Sequence, residues 1–329
     1  MKKIVYAVLF TSLFLFANEK PILTIYTYDS FAASWGPAPQ IKEIFEKECE
    51  CTLDFVGVSS SIATLRKIQL EGKRTKADIL LGLDTATAQI AKETNLFSTH
   101  ELDTSNIDLP NGYTDDTFIP FDYSYFAFVY DENKIKNIPD SFEALASMPD
   151  DFKIVIQDPR SSTPGLGLLL WVKSIYGDKT AEYWKRLAPY ILTITKGWSE
   201  SYGLFLKGEA DMVLSYTTSP AYHMIEEDKY NIKSVAFNEG HYAQIEVAAI
   251  VKSSKQKELA KKFLQFLSTE EFAQIIPTAN WAYPVIKGVK LHEDFDKLHK
   301  PDEFILIDGK TVQEKRKAII DEWLEAIQK

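Results

Sequence analysis

Five short runs carry residues able to do chemistry. In Gln157-Asp158-Pro159-Arg160-Ser161-Ser162-Thr163-Pro164-Gly165-Leu166-Gly167-Leu168, Ser162 or Thr163 can cap a helix whose first position suits Pro164. The small residues there leave backbone N–H groups open to an anion such as phosphate. A well-capped helix without a ligand accounts for the same run. Lys196-Gly197-Trp198 stands just before another helical pattern. Leu214-Ser215-Tyr216-Thr217-Thr218-Ser219-Pro220-Ala221-Tyr222 crowds hydroxyls at the C-terminal end of a strand, where open α/β sheets bind ligands. Tyr216 and Tyr222 add rings that can flank a flat or cationic molecule, although a turn that satisfies its own hydroxyls reads equally well. Pro277-Thr278-Ala279-Asn280-Trp281-Ala282-Tyr283-Pro284 puts two aromatics in an expected break between helices, and Tyr26-Thr27-Tyr28-Asp29-Ser30-Phe31 does so after a first strand. One such aromatic fits a core; several at element ends in separate parts of the chain point to a shared aromatic cleft.

Catalytic patterns are weak by comparison. The sequence has no G-x-S-x-G elbow, P-loop, H-E-x-x-H or G-x-G-x-x-G fingerprint. His100, His223, His241, His292 and His299 are scattered, and Asp116 and Asp122 give no sign of acid/base pairing. No catalytic residue, metal ligand set or cofactor is expected.

The elements that must position these runs follow from periodicity. Ile22–Tyr28 reads as a strand, the pattern Ile41, Ile44, Phe45, Lys47 as a helix, Thr52–Val56 as a strand, and Ala63–Leu70 as a helix stopping at Gly72. Ala77–Leu83 is an apolar strand suited to a sheet covered on both faces, followed by a helix capped at Asp84-Thr85. This βαβαβ opening predicts a largely parallel, doubly wound sheet. Phe118–Tyr130 is too long for one ordinary strand and is a candidate crossover between lobes; Tyr242–Val251 is the expected return. Between them lie a strand at Lys153–Gln157, helices at Thr163–Tyr176, Ala181–Leu187 and Glu200–Lys207, and a strand at Ala210–Tyr216. Amphipathic helices at Lys255–Leu267, Glu270–Ile276 and Val312–Ile327 complete the chain. The α/β signals on both sides of Phe118–Tyr130 predict two lobes.

Composition narrows the partners. At 329 residues the chain is about twice a typical domain. Its net charge of −10 argues against nucleic acid, which needs clustered Lys and Arg. Aromatics are abundant, with 6 Trp, 16 Tyr and 20 Phe, and composition alone cannot divide them between core and site. Lys2 and Lys3 before an apolar run from Ile4 to Ala17, then Asn18-Glu19-Lys20, read as a signal peptide cleaved after Ala17, although Leu15 stands where a small residue is usual. The run is short for a membrane span, and no cysteine marks a lipid anchor at the cleavage point. Export makes a Cys49–Cys51 disulfide at a helix end the favoured reading of Cys49-Glu50-Cys51, against a metal or redox site that lacks further ligands.

Several strings carry a family likeness. Tyr26–Ala33, Lys76–Asp84, Gln157–Leu170, Thr195–Glu200, Leu214–Tyr222 and Pro277–Pro284 resemble the periplasmic thiamine-binding proteins of bacterial ABC importers, and the likeness extends over essentially the whole mature chain. It implies the type 2 periplasmic-binding-protein fold: two α/β lobes, a ligand cleft between them, and hinge strands crossing from one to the other. The lobes would comprise 18–120 with about 243–280, and about 121–242 with about 281–329. The resemblance implies capture of thiamine or its phosphate esters in the periplasm by a monomer. Delivery would be to an inner-membrane permease with a separate ATPase subunit. Carried over residue by residue, it makes Trp198, Tyr216, Thr217, Thr218 and Ser219 the leading ligand positions and Ser162 and Thr163 a further pair. Tyr28, Trp35, Tyr222 and Trp281 form the remaining aromatic lining. Ser60 and Ser61 occupy a contact position where the family pattern has an acidic residue followed by glycine, which puts one polar contact in doubt. A receptor for ferric ion or another cationic metabolite is the alternative cargo, and an exported thiamine-processing enzyme the alternative class.

Overall fold

The computed structural model describes residues 20–109 and 112–328. The expected signal peptide, 1–17, lies outside the described residues. Among the described residues no helix is long and apolar enough to cross a membrane.

The chain opens with β1 (Ile22–Tyr28), the single turn α1 (Asp29–Ala32), α2 (Ala38–Cys49) and β2 (Thr52–Val58). Ile41 and Phe45 give α2 its buried face, and Glu50 ends it in the left-handed region, φ 50°. That reversal brings Cys49 and Cys51 together as a disulfide, with Cα atoms 5.1 Å apart. Next come α3 (Ser61–Glu71), β3 (Ile79–Asp84), α4 (Thr85–Glu93) and β4 (Phe97–Ser98). Two side-chain caps set these helix starts: Ser60 Oγ accepts from the Ala63 amide at 3.1 Å, and Asp84 Oδ1 from the Thr87 amide at 3.0 Å.

The long strand β5 (Ile119–Asp131) leads to α5 (Phe142–Leu145), β6 (Ile154–Gln157), α6 (Thr163–Tyr176), α7 (Thr180–Leu187), β7 (Ile191–Thr195), α8 (Trp198–Leu206), β8 (Met212–Tyr216), α9 (Pro220–Glu227) and β9 (Ile232–Ser234). The chain returns through β10 (His241–Val251) to α10 (Lys257–Phe266), α11 (Glu270–Ala279), β11 (Tyr283–Pro284), β12 (Phe304–Ile305) and α12 (Gly309–Ile327). Pro277, expected in a break between helices, instead lies inside α11; the break begins at Asn280.

The main strand order is β2-β1-β3-β10-β5-β8-β6-β7. The outer groups β2-β1-β3 and β8-β6-β7 are parallel, as expected of βα units. The two central strands are antiparallel to each other and to the groups they join. The sheet is therefore mixed rather than largely parallel, because a chain that leaves one lobe and returns must traverse the middle in both directions. β5 changes partners halfway: Ile119 to Tyr125 face β10, and Phe126 to Tyr130 face β8.

Side chains alternate between the two sheet faces. In the first lobe Ile25, Ile79, Leu81, Phe121 and Ile250 pack with Phe45, Phe263 and Phe272 of the helices on one side. Tyr26, Leu80, Leu83, Val247 and Ala249 pack with Leu65, Ile68, Ala88 and Ala91 on the other. In the second lobe Phe128, Ile154, Ile156, Met212 and Leu214 lie with Trp171, Trp184 and Trp323, while Val129, Val155 and Val213 face Tyr202 and Phe205 of α8. Three of the six tryptophans are thus committed to the core. Helix α12 packs on α4 of the first lobe and on α6 and α7 of the second.

Candidate ligand-binding cleft

A cavity of about 860 Å³ opens between the lobes. The other three tryptophans, Trp35, Trp198 and Trp281, line it, as do Tyr28, Tyr216 and Tyr222. Trp198 is the first residue of α8, its N-cap being Gly197. Its indole N–H donates to Ser215 Oγ at 2.7 Å, and one ring face stacks on Tyr202, centroids 4.7 Å apart. Ser215 Oγ in turn lies 2.7 Å from Ser219 Oγ. Tyr222 from α9 meets Trp281 edge to face at 5.3 Å. Trp281 holds φ 56°, a left-handed conformation uncommon for a bulky residue and of a kind that collects at binding sites. Gly82 is needed beside Tyr28: a Cβ there would lie 2.4 Å from the tyrosine ring, and its φ is +93°.

The anion-binding prospect at α6 takes a definite form. Ser162 is the N-cap, but its side chain makes no cap hydrogen bond. Ser162 and Thr163 line the cavity, and among the described residues their buried hydroxyl oxygens have no hydrogen-bond partner. Unpartnered buried hydroxyls are costly unless something fills them, and here they sit beside the free N–H groups of a helix start.

Ser60 and Ser61 also line the cavity, and Ser60 does two jobs. Besides capping α3, its hydroxyl donates to the Ser161 carbonyl in the other lobe. A second link across the opening runs from Ser199 Oγ to Asp29 Oδ1 at 3.3 Å. Thr217 and Thr218 do not reach the cavity. Both are fully buried; Thr218 Oγ1 lies 2.8 Å from Ser124 Oγ, and the Thr217 amide donates to the Tyr125 carbonyl at 2.9 Å. They follow the strand into the hinge, so the hydroxyl run divides between cavity (Tyr216, Ser219) and support (Thr217, Thr218).

The cavity floor holds residues outside the ligand positions expected from the sequence. Asp122 and Ser124 of β5 stand opposite Glu246 and Gln244 of β10, and all four line the cavity. Asn280 Nδ2 donates to Asp122 Oδ2 at 2.6 Å, and the Tyr28 hydroxyl donates to Glu246 Oε2 at 2.8 Å. The Tyr216 hydroxyl donates to Gln244 Oε1 at 3.0 Å. Burial pushes the Asp122 carboxyl up to about 7. Burial and the neighbouring Asp122 carry Glu246 well above the usual carboxylate range. Burial likewise raises Tyr28 and Tyr216, which stay neutral donors. The signal for these residues was present in the sequence: each long apolar strand carries one pair of polar residues two apart, Asp122 with Ser124 and Gln244 with Glu246. That spacing puts each pair on one face. Asp29 and Glu226 add two more carboxyl groups to the lining, and among the described residues it contains no Lys, Arg or His.

Two lobes closing on an aromatic, acid-floored cavity through paired crossover strands define a solute-capturing protein. The chain belongs to the bacterial extracellular solute-binding proteins, whose sequence model matches residues 28–274. It is 51% identical over 308 residues to the thiamine-binding periplasmic protein of Escherichia coli (strain K12), covering 94% of each chain. Among solved structures, a periplasmic thiamin binding protein matches with a TM-score of 0.92 at 50% identity, over 94% of this chain and 97% of that one. A ferric binding protein from Campylobacter jejuni matches at a TM-score of 0.76 and 20% identity, over 92% of this chain and 99% of that one, a likeness of fold alone.

Proposed function

We propose that this protein captures thiamine in the periplasm and delivers it to an inner-membrane ABC permease driven by a separate ATPase subunit. The observation that carries this reading is the charge and shape of the lining: among the described residues, seven aromatic rings and four carboxyl groups with no basic side chain. Thiamine has a permanently positive thiazolium and a flat aminopyrimidine, so rings supply stacking and cation–π attraction while carboxylates supply charge. The relatives named for thiamine binding, at about half identity over nearly the full chain, favour the same cargo. A protein exported through its N-terminal leader and cleaved after Ala17 would act as a monomer, with no cofactor, and return its ligand unchanged.

The phosphate esters of thiamine fit the same cleft with the phosphate against Ser162, Thr163 and the first turn of α6. That subsite offers neutral donors only, and the carboxyl groups oppose added negative charge. Affinity should therefore fall from thiamine or its monophosphate to the diphosphate. Calorimetric titration of the purified protein should give saturable one-site binding of thiamine. Mass spectrometry should recover the vitamin intact after release. Absence of heat or fluorescence change with thiamine at several temperatures would overturn the assignment, and turnover of excess thiamine would replace it with an enzymatic one.

A further inference from the structure

We propose that Asp122 and Glu246 form the subsite for the ligand's positive charge: in the empty cleft they share a proton, and entry of the cation expels that proton to solvent. This rests on the reading of the cargo as cationic thiamine and assigns residues to it that lie outside the ligand positions carried over from the family.

The geometry comes from the hinge. Asp122 and Glu246 are directly opposed on β5 and β10, so their side chains leave the sheet on the same face, as cross-strand pairs do. They are 1% and 5% exposed, and both border the cavity. Their contacts to protein are made by neutral donors, the Asn280 amide and the Tyr28 hydroxyl. Among the described residues the titratable groups acting on the pair are acidic or phenolic, and the basic side chain of Arg316 acts on Asp84. Tyr28 comes from β1 and Tyr216 from β8; Asp84, opposite Glu246 on β3, has its carboxyl engaged by Thr87. Asp29 and Glu226 are further along the same wall. Among the described residues no cation lines the cavity to balance two ionised carboxylates, so one proton stays with the pair, in keeping with the upward displacement of both groups by burial.

A second feature of the cavity points independently to an occupant. Ser162 and Thr163, 1% and 3% exposed, line it, and among the described residues their hydroxyl oxygens have no hydrogen-bond partner. A ligand that fills the cavity therefore meets hydrogen-bonding groups on one wall and a carboxyl pair on the floor. When a quaternary ring settles over the pair, its charge replaces the proton: the shared carboxyl O–H breaks heterolytically, the electron pair stays on the carboxylate, and the proton passes to water. The pair then carries one more negative charge against one positive charge of the ligand.

The test is calorimetry of thiamine binding to the whole protein at pH 6.5, 7.5 and 8.5. At each pH it is run in two buffers of different protonation enthalpy, with a blank titration of the ligand. The expected result is release approaching one proton per thiamine, with affinity tightening toward about tenfold per pH unit where release is complete. Asp122→Asn and Glu246→Gln should each change the number of protons released and its pH dependence while weakening binding at least tenfold, and the double variant should abolish the release. Each variant's thermal transition checks that it folds, and either variant alone suffices. A role in packing alone would weaken binding without changing proton release. Saturable thiamine binding by the wild-type protein with equal heats in both buffers and a pH-independent Kd overturns the proposal and leaves the cargo reading standing. No thiamine binding at any pH overturns both.

Discussion

Trp198 shows how far a single side chain can be read. Its place before a helix was visible in the sequence, but its hydrogen bond was not, because Ser215 reaches it from a different strand. With the N–H given to Ser215 and one face to Tyr202, the indole has ring surface left for a ligand and no donor. Trp198→Ala should therefore weaken thiamine and its phosphates alike, by about two- to thirtyfold for one cation–π or stacking contact. Trp198→Phe should recover part of that loss. Titrations of both variants with each ligand form are the check, and unchanged affinities would remove Trp198 from the site. The Asp122 carboxyl gives a second residue-level expectation. Its folded pKa is raised to about 7, so its contribution favours the folded protein at low pH and is lost as pH rises through 7. Thermal unfolding of the ligand-free protein should shift to lower temperature as pH rises from about 4 to about 7, with no further contribution from Asp122 well above 7, and Asp122→Asn should flatten that slope. The sequence reading set Asp122 aside for want of an acid/base partner. The partner lay on β10, more than a hundred residues away in sequence, and only strand register brings the two together.

At the scale of elements, most helices and strands were legible because their apolar spacing matches a single period. Those missed were misread for local reasons. The hydroxyls of Leu214–Tyr222 masked the helix α9, for which Pro220 serves as a first-turn residue. Pro277 looked like a breaker, yet it ends up within α11. The run before α6 fits either a capped helix or an anion site by sequence. The structure shows a helix whose N-cap side chain leaves the cap unmade, a condition no propensity reveals. The element reaches this position because Gly165 lets it approach β6: a Cβ there would stand 2.3 Å from the Gln157 carbonyl oxygen. Gly165→Ala should destabilise the protein by about 1–3 kcal/mol, read as a lowered denaturant midpoint with an unchanged m-value. Ser162→Ala combined with Thr163→Val should discriminate between ligands, lowering affinity for thiamine monophosphate more than for thiamine. Equal losses for the two would take the phosphate away from α6.

Over the whole molecule, the two-lobed plan was foreseen from βα signals flanking a long extended segment, whereas the mixed direction of the sheet was not. Direction follows from the path of the chain between lobes, which local pattern does not encode. Few atoms link the two rims of the cleft: Ser60 to the Ser161 carbonyl and Ser199 to Asp29. A net hydrogen bond contributes about 0.5–1.5 kcal/mol, so Ser60→Ala should raise the thiamine Kd by about two- to twelvefold. It should also enlarge the ligand-free radius of gyration in small-angle scattering; identical scattering and affinity would deny Ser60 a closing role. The back of the molecule is constrained differently, since α12 lies against both lobes and limits how they can separate. The carboxyl pair sits on β5 and β10, the strands common to both lobes, and therefore close to the axis about which the lobes turn. Points near an axis move least. The floor thus keeps its shape whether the jaws are apart or together, and an arriving cation meets its counter-charge before the aromatic walls close. Association should accordingly slow as ionic strength rises, as charge-steered encounters do, while the residence time is set by how often the serine latch opens.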